Sequence, residues 1–430
     1  MKLWEKSESV DKKIDLFTVG NDRKYDSVIA QYDCKASIAH IKMLNKINLL
    51  KDKEALKLIK ELKKIEELSK SKDFIVEEEF EDIHSKIEFV LTDKLGSLGK
   101  KIHAGRSRND QVLVAICLYL KNEIGEIKEL TKQLFDLLIR KAKKHKDDFM
   151  PGYTHFQIAM PSSFGMWFSA YAECLIDDII LINASEKIVD QNPLGSAAGY
   201  GSSFPIDRIQ TTKELSFSDL KYNSMAAQMS RGKIEKITLS SIGSLASTLS
   251  KLSMDICLYM SQEFNFVSFP DNLTTGSSIM PHKKNPDVFE LIRGKCNLIQ
   301  SMQHQITLLT NNLPGGYHRD MQLTKGVIIE AIKEIKSCLE IFIFSLNKII
   351  IKKNILEDKK YDYAFSVNTL NKWVAEGMPF RDAYEKMKDN IAKGKFSPNR
   401  DLNHSHLGSI GNLSLENIEN KMYKFLNGLS

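Results

Sequence analysis

The chain has 430 residues, of which 42% are hydrophobic and 27% charged, a balance that fits a large globular core and excludes intrinsic disorder. Its 61 basic and 55 acidic side chains leave a formal charge of +6, an excess that suits an anionic small molecule and does not require nucleic acid. Six cysteines at irregular spacing form no CxxC pair and no zinc pattern, so reduced thiols in a cytoplasmic protein are expected. The N-terminal stretch MKLWEKSESVDKK has no apolar core and reads as no signal peptide.

Helical periodicity dominates in chain order, and strand-like alternation is scarce. Residues 35–70, rich in Leu, Ile, Lys and Glu, read as one helix, and Asp110 to about Lys146 as another. Two later segments carry apolar residues at 4-3-4-3 spacing: Leu245, Leu249, Leu252, Ile256, Tyr259, and then Ile328, Ile332, Ile335, Leu339, Phe342, Leu346, Ile349. Each spacing sets one seam along a helix that spans about 40 Å at about 1.5 Å per residue. Either a single-chain bundle or a bundle continued across subunits would bury such seams. The most apolar run, Leu339 to Ile351, is too short and too polar to cross a bilayer. The expected architecture is therefore all-α. It has an N-terminal mainly helical domain at 1–105, a central long-helix bundle at 106–357 and a small helical C-terminal domain at 358–430.

Breakers cluster at Gly99–Gly105, Met150–Pro161, Gln191–Pro205, Pro270–Pro286 and Leu313–Tyr317, and these stretches hold the chemically capable side chains. Within TTGSSIMPHKKNPDVFELIRGK, the turn Gly276–Ser277–Ser278 precedes Pro281 and Pro286, and a helix is expected from Asp287. Hydroxyl, ammonium and amide donors then gather near a helix start, where a carboxylate is favoured; a plain surface turn is the alternative.

The eleven residues GSSIMPHKKNP resemble the signature loop of the fumarase/aspartase superfamily, whose members release fumarate from succinyl compounds. Further segments are similar to the argininosuccinate lyase family. They are KKIHAGRSRNDQV (100–112), GYTHFQIAMPSSFG (152–165), NPLGSAAGYGSSFPIDR (192–208) and LPGGYHRDMQLTK (313–325), together with EDIHSKIE (81–88) and DSVIAQYDCKASIAH (26–40). His282 departs toward the adenylosuccinate lyases, but those lack the GRSRND stretch. Val114 and Ala115 replace the family's Thr-Asp, and Gly232 stands where Arg-Asp is usual at 231–232.

The resemblance implies β-elimination of argininosuccinate to arginine and fumarate, without metal or organic cofactor. It implies a homotetramer with a shared helical core and four active sites, each assembled from three subunits. It makes Ser277 the catalytic serine, His155 the catalytic histidine and Glu290 the carboxylate that orients it. Ser277 is favoured as base and His155 as part of the acid step, with the reverse left open. Substrate contacts fall on Ser37, Arg108, Asn109, Thr154, Lys283, Asn285, Tyr317, Gln322 and Lys325, and His84 resembles a further active-site histidine. Another lyase of the superfamily, such as adenylosuccinate lyase, and a non-catalytic δ-crystallin-like protein are the competing readings.

Overall fold

The computed structural model describes residues 11–71 and 73–427; most of the N-terminal stretch read for a leader lies outside them. In chain order the elements are α1 (Lys12–Val19), α2 (Asp22–Lys46), α3 (Asp52–Ser69), α4 (Ile83–Leu95) and α5 (Arg108–Lys144). Then come β1 (Phe149–Thr154), β2 (Gln157–Ser163), α6 (Phe164–Val189), β3 (Gln191–Asn192), α7 (Arg208–Glu214), β4 (Asp219–Leu220), α8 (Ser224–Met229) and α9 (Lys233–Met260). The remainder is β5 (Val267–Ser268), α10 (Asp287–Thr310), α11 (Thr324–Asn347), β6 (Ile350–Ile351), α12 (Ser366–Ala375), α13 (Phe380–Ala392) and α14 (Leu415–Leu426). Among the described residues the fold is mainly helical, with three two-stranded pairings: β1 with β2 antiparallel, β3 with β4 parallel and β5 with β6 antiparallel.

The chain divides into two compact units. The first comprises Met1–Lys128, Leu181–Ser244 and Leu298–Ile335; the second comprises Glu129–Ile180, Leu245–Asn297 and Lys336–Ser430. The long helices α5, α6, α9, α10 and α11 each contribute residues to both.

In the first unit, α2, α3 and α4 close a core that includes Ala30, Ile41, Leu44, Leu58, Leu62, Ile83 and Ile87. Helix α3 starts with the Glu54 carboxylate accepting the Lys51 N–H at 2.9 Å, one half of a capping box. It buries Ala55, Leu58, Leu62 and Ile65 at helical spacing. The single helix expected over 35–70 is in fact two. Asn48 adopts φ +61°, and the N–H groups of Leu49 and Leu50 both turn back to the Leu44 carbonyl. Neither Gly nor Pro marks this break; an asparagine in the left-handed region does the work of a C-terminal glycine.

Val114 and Ala115 are fully buried in the first unit, so the apolar pair packs into the interior. Gly232 sits at φ +80°, and a Cβ there would lie 2.5 Å from Thr310 Cγ2. The conformation and the close approach together account for glycine at this position.

In the second unit, the 150–161 stretch expected to be a loop is a β-hairpin. Thr154 pairs with Gln157, and a register irregularity falls at Gly152 between Pro151 and Tyr153. The seam on α9 buries Leu245, Leu249, Leu252 and Ile256, and that on α11 buries Leu339, Phe342 and Leu346. Ile349 lies past the end of α11 yet stays buried.

Candidate functional site

The first unit contains a cavity of about 250 Å³. Its charged lining consists of four acids, Asp22, Asp26, Glu81 and Asp82, and four cations, Arg108, Arg231, Arg319 and Lys325. Asn109, Val112, Tyr317 and Gln322 add neutral surface.

Sequence order explains how these meet. Asp22 and Asp26 are one turn apart on α2 and share a helix face. Lys325, at the start of α11, is buried between them, 2.7 Å from Asp22 and in contact with Asp26. Burial opposes the Lys325 charge, but the two carboxylates outweigh it and hold its pKa above the usual lysine range. The other Asp26 oxygen accepts the Ile83 N–H at 3.1 Å, tying α2 to α4.

Arg108 opens α5. It donates to Glu81 Oε2 at 2.9 Å and Ser85 Oγ at 2.7 Å, and lies 3.1 Å from Asp82 Oδ2. Asp82 caps α4 by accepting the Ser85 N–H at 2.8 Å, and His84 and Arg108 hold its carboxyl below the ordinary range against the cost of burial. Arg319 donates to Glu81 Oε1 at 3.2 Å and to the Thr18 carbonyl at 3.1 Å. Gln322 donates to the same Thr18 carbonyl at 2.9 Å.

The structure thus brings Arg108, Asn109, Tyr317, Gln322 and Lys325 to one cavity. Ser37 lies outside this lining: it is fully buried, and its hydroxyl accepts from Arg106 at 2.9 Å. His84 is buried as well, with Nδ1 3.2 Å from Asp33 Oδ2. Burial works against its protonation, and Asp33 foremost overcomes that, so its pKa is raised. Sequence reasoning assigned no role to Asp22, Asp26, Glu81, Asp82, Arg231 or Arg319. The i, i+4 spacing of the first pair and the clustering of acids at 81–82 were the available signals.

The remaining candidates belong to the second unit. Thr154 and His155 stand at the hairpin tip, both exposed. His155 and Phe156 have φ +55° and +58°, the paired left-handed residues of a tight turn whose twist matches its strands. Such a turn usually carries Asn-Gly, so its signal was missing from the sequence.

Residues 271–287 form a loop closed at its base. The Asn285 N–H donates to the Thr275 carbonyl at 2.8 Å, Thr275 bonds to Asp287, and Lys284 pairs with Asp271. Within it, Ser277 Oγ accepts the N–H groups of Met280 at 3.1 Å and Ile279 at 3.3 Å. Lys283 is exposed, and Asn285 Nδ2 reaches back to the Gly276 carbonyl at 3.4 Å. Glu290 lies exposed in the first turn of α10. Among the described residues no hydrogen bond or ion pair joins His155 to Ser277 or to Glu290.

A family model described as lyase matches residues 5–301. Over 429 residues the chain is 51% identical to an argininosuccinate lyase of Bacteroides fragilis, covering 100% of this chain and 96% of that protein. An argininosuccinate lyase of Thermotoga neapolitana is 39% identical over 394 residues, covering 92% of this chain and 99% of that one. Among solved structures, an EDDS lyase in complex with formate matches with a TM-score of 0.79 at 20% identity, covering 98% and 92% of the two chains, which shows a shared fold.

Proposed function

The chain belongs to the argininosuccinate lyase family, and on that premise we propose that it splits argininosuccinate into arginine and fumarate. The observation that carries this reading is full-length likeness to proteins of that one activity.

The reaction removes a proton from the succinyl carbon beside a carboxylate, forms the carbon–carbon double bond and expels the guanidino nitrogen. The electron pair of the broken C–N bond goes to that nitrogen, which takes up a proton. Negative charge builds on the carboxylate next to the acidified carbon, so donors aimed there matter most. In this reading Ser277 is the base. A serine hydroxyl is weakly acidic, and the two amide N–H groups converging on its oxygen stabilise the alkoxide form, as does a cation nearby. Lys283 and Asn285 hold the reacting succinyl part, His155 supplies the leaving nitrogen's proton, and Glu290 orients His155.

The cavity of the first unit takes the amino-acid part. Its acids suit an ammonium and a guanidinium, and Arg108 at its edge is assigned to a succinyl carboxylate, which its planar fork suits. Asn109, Tyr317, Gln322 and Lys325 complete that wall; Thr154, at the hairpin tip of the second unit, is a further substrate contact in this reading. Ser37, a substrate contact in the family reading, is buried against Arg106, and its place in the site rests on the motif alone.

Assembly as a homotetramer supplies the pairings of His155 with Ser277 and Glu290 from neighbouring copies. Exposed apolar side chains support it: Leu291, Leu298 and Leu308 on α10 are 64%, 65% and 73% accessible, apolar surface of the kind that contacts between chains cover. Six free cysteines support a reducing cytoplasmic setting, and no described helix is long and apolar enough to cross a membrane.

Fumarate release from argininosuccinate, followed by ultraviolet absorbance with adenylosuccinate as the comparison substrate, tests the reading. Ser277→Ala is expected to abolish turnover while substrate still binds by calorimetry; retained turnover refutes the assigned base. Light scattering tests the tetramer, and a monomer that is fully active overturns it.

A further inference from the structure

We propose that Asp110 is a positioning residue: its buried carboxylate, seated in the backbone amides of Gly195 and Ala197, fixes the first turn of α5 so that Arg108 and Asn109 face the cavity. The inference rests on the lyase reading for its assay but on geometry for its content.

Asp110 is fully buried. One carboxylate oxygen accepts the Ser107 N–H at 2.8 Å, closing the start of α5 on itself. The other accepts the N–H groups of Gly195 at 2.9 Å and Ala197 at 3.0 Å. Gly195 and Ala197 have φ +88° and +50°, backbone that turns these two amides onto one anion, while the Ser196 N–H between them donates to the Pro193 carbonyl at 3.3 Å. A carboxylate from the chain itself is that anion.

The loop is held from behind. Arg208 donates to the Leu194 carbonyl at 2.9 Å and the Lys221 carbonyl at 2.7 Å. Gln228 donates to Ser196 Oγ at 3.1 Å and the Ala197 carbonyl at 3.2 Å. A Cβ on Gly195 would lie 2.8 Å from Arg208 Cγ, so the loop and this side chain approach as closely as glycine allows.

On a helix, residues two apart point about 200° from each other. Asp110 therefore grips the loop from the face of α5 opposite the one that carries Arg108. None of residues 193–199 lines the cavity, so the loop reaches Arg108 and Asn109 through this grip and not by direct contact with the cavity. An asparagine cannot replace it. The amide nitrogen donates where an N–H already donates, and at least one of the three bonds is lost.

The test compares wild type with Asp110→Asn in steady-state kinetics on argininosuccinate, alongside thermal denaturation. KM is expected to rise about tenfold, the worth of one charge-assisted hydrogen bond misdirected, with kcat within about threefold and a melting temperature near that of wild type. Unchanged KM overturns the proposal, whether or not the melting temperature falls, and so does a loss confined to kcat. Should Asp110→Asn not fold, Gln228→Ala loosens the same loop without touching α5. A KM rise of about threefold supports the positioning role, and wild-type KM refutes it. An inactive wild type would instead count against the lyase reading itself.

Discussion

The Glu81 carboxylate bridges two arginines: one oxygen accepts from Arg108 at 2.9 Å and the other from Arg319 at 3.2 Å. The two guanidinium groups come from residues more than 200 positions apart in sequence; without Glu81, Arg108 keeps Ser85 and Asp82 and Arg319 keeps the Thr18 carbonyl, but each loses the link to the other. Glu81→Ala is expected to lower kcat/KM about tenfold to hundredfold, mostly through KM, and to cost about 1–3 kcal/mol of stability. Steady-state kinetics and chemical denaturation check both; a variant with unchanged KM contradicts the bridging role.

A pH dependence follows from Asp22. Burial pushes its carboxyl up to about 6; Lys325 opposes the rise and Asp26 adds to it. The folded chain therefore keeps this proton between about pH 4 and 6, where the unfolded chain has released it. Proton binding favours the folded state at the acid end of that window, so the Asp22 contribution to stability declines as pH rises and its deficit is complete above about 6. Asp22→Asn is expected to remove this dependence: its stability relative to wild type is about 1–3 kcal/mol more favourable at pH 7 than at pH 4, on top of a constant cost for the lost contact with Lys325. Urea denaturation at the two pH values decides it, and an equal effect at both excludes the titration.

At Gly232 the left-handed backbone and the contact with Thr310 act together. Gly232→Ala is expected to destabilise by about 1–3 kcal/mol. The Thr310→Ala background should recover the steric part and leave the backbone part, a coupling that a double-mutant cycle measures. Additive effects would mean that the methyl of Thr310 is not the obstacle.

Phe156 holds φ +58° with its ring 74% exposed, so little burial offsets the backbone strain. Phe156→Asn is expected to raise stability by roughly 1 kcal/mol, since asparagine tolerates this conformation. A lower melting temperature would show that the ring contributes more than its exposure indicates.

The long helices were legible because their seams repeat over many turns: α9 buries Leu245, Leu249, Leu252 and Ile256 and leaves Tyr259 half-buried, α11 buries its seam from Ile328 to Leu346, and Pro286 placed the start of α10 at Asp287. The hairpin at 149–163 was not legible. Its strands carry prolines at 151 and 161, and its turn uses His and Phe where Asn and Gly are the usual markers. The break between α2 and α3 hid for the same reason, an asparagine doing what glycine commonly does. In the cavity, Arg108, Asn109, Tyr317, Gln322 and Lys325 were named from motifs, whereas the acids facing them were not. A motif shows which residues recur together; counter-charges are fixed by folding, when segments as distant as 22–26, 81–82 and 319–325 close around one space.

Because that space holds equal numbers of opposite charges within a few ångströms, its field largely cancels at the distance where a ligand is still diffusing. Capture is then a short-range event. Added salt should change the encounter rate little, and selection among dissolved anions happens by fit at the wall, after contact and not before it.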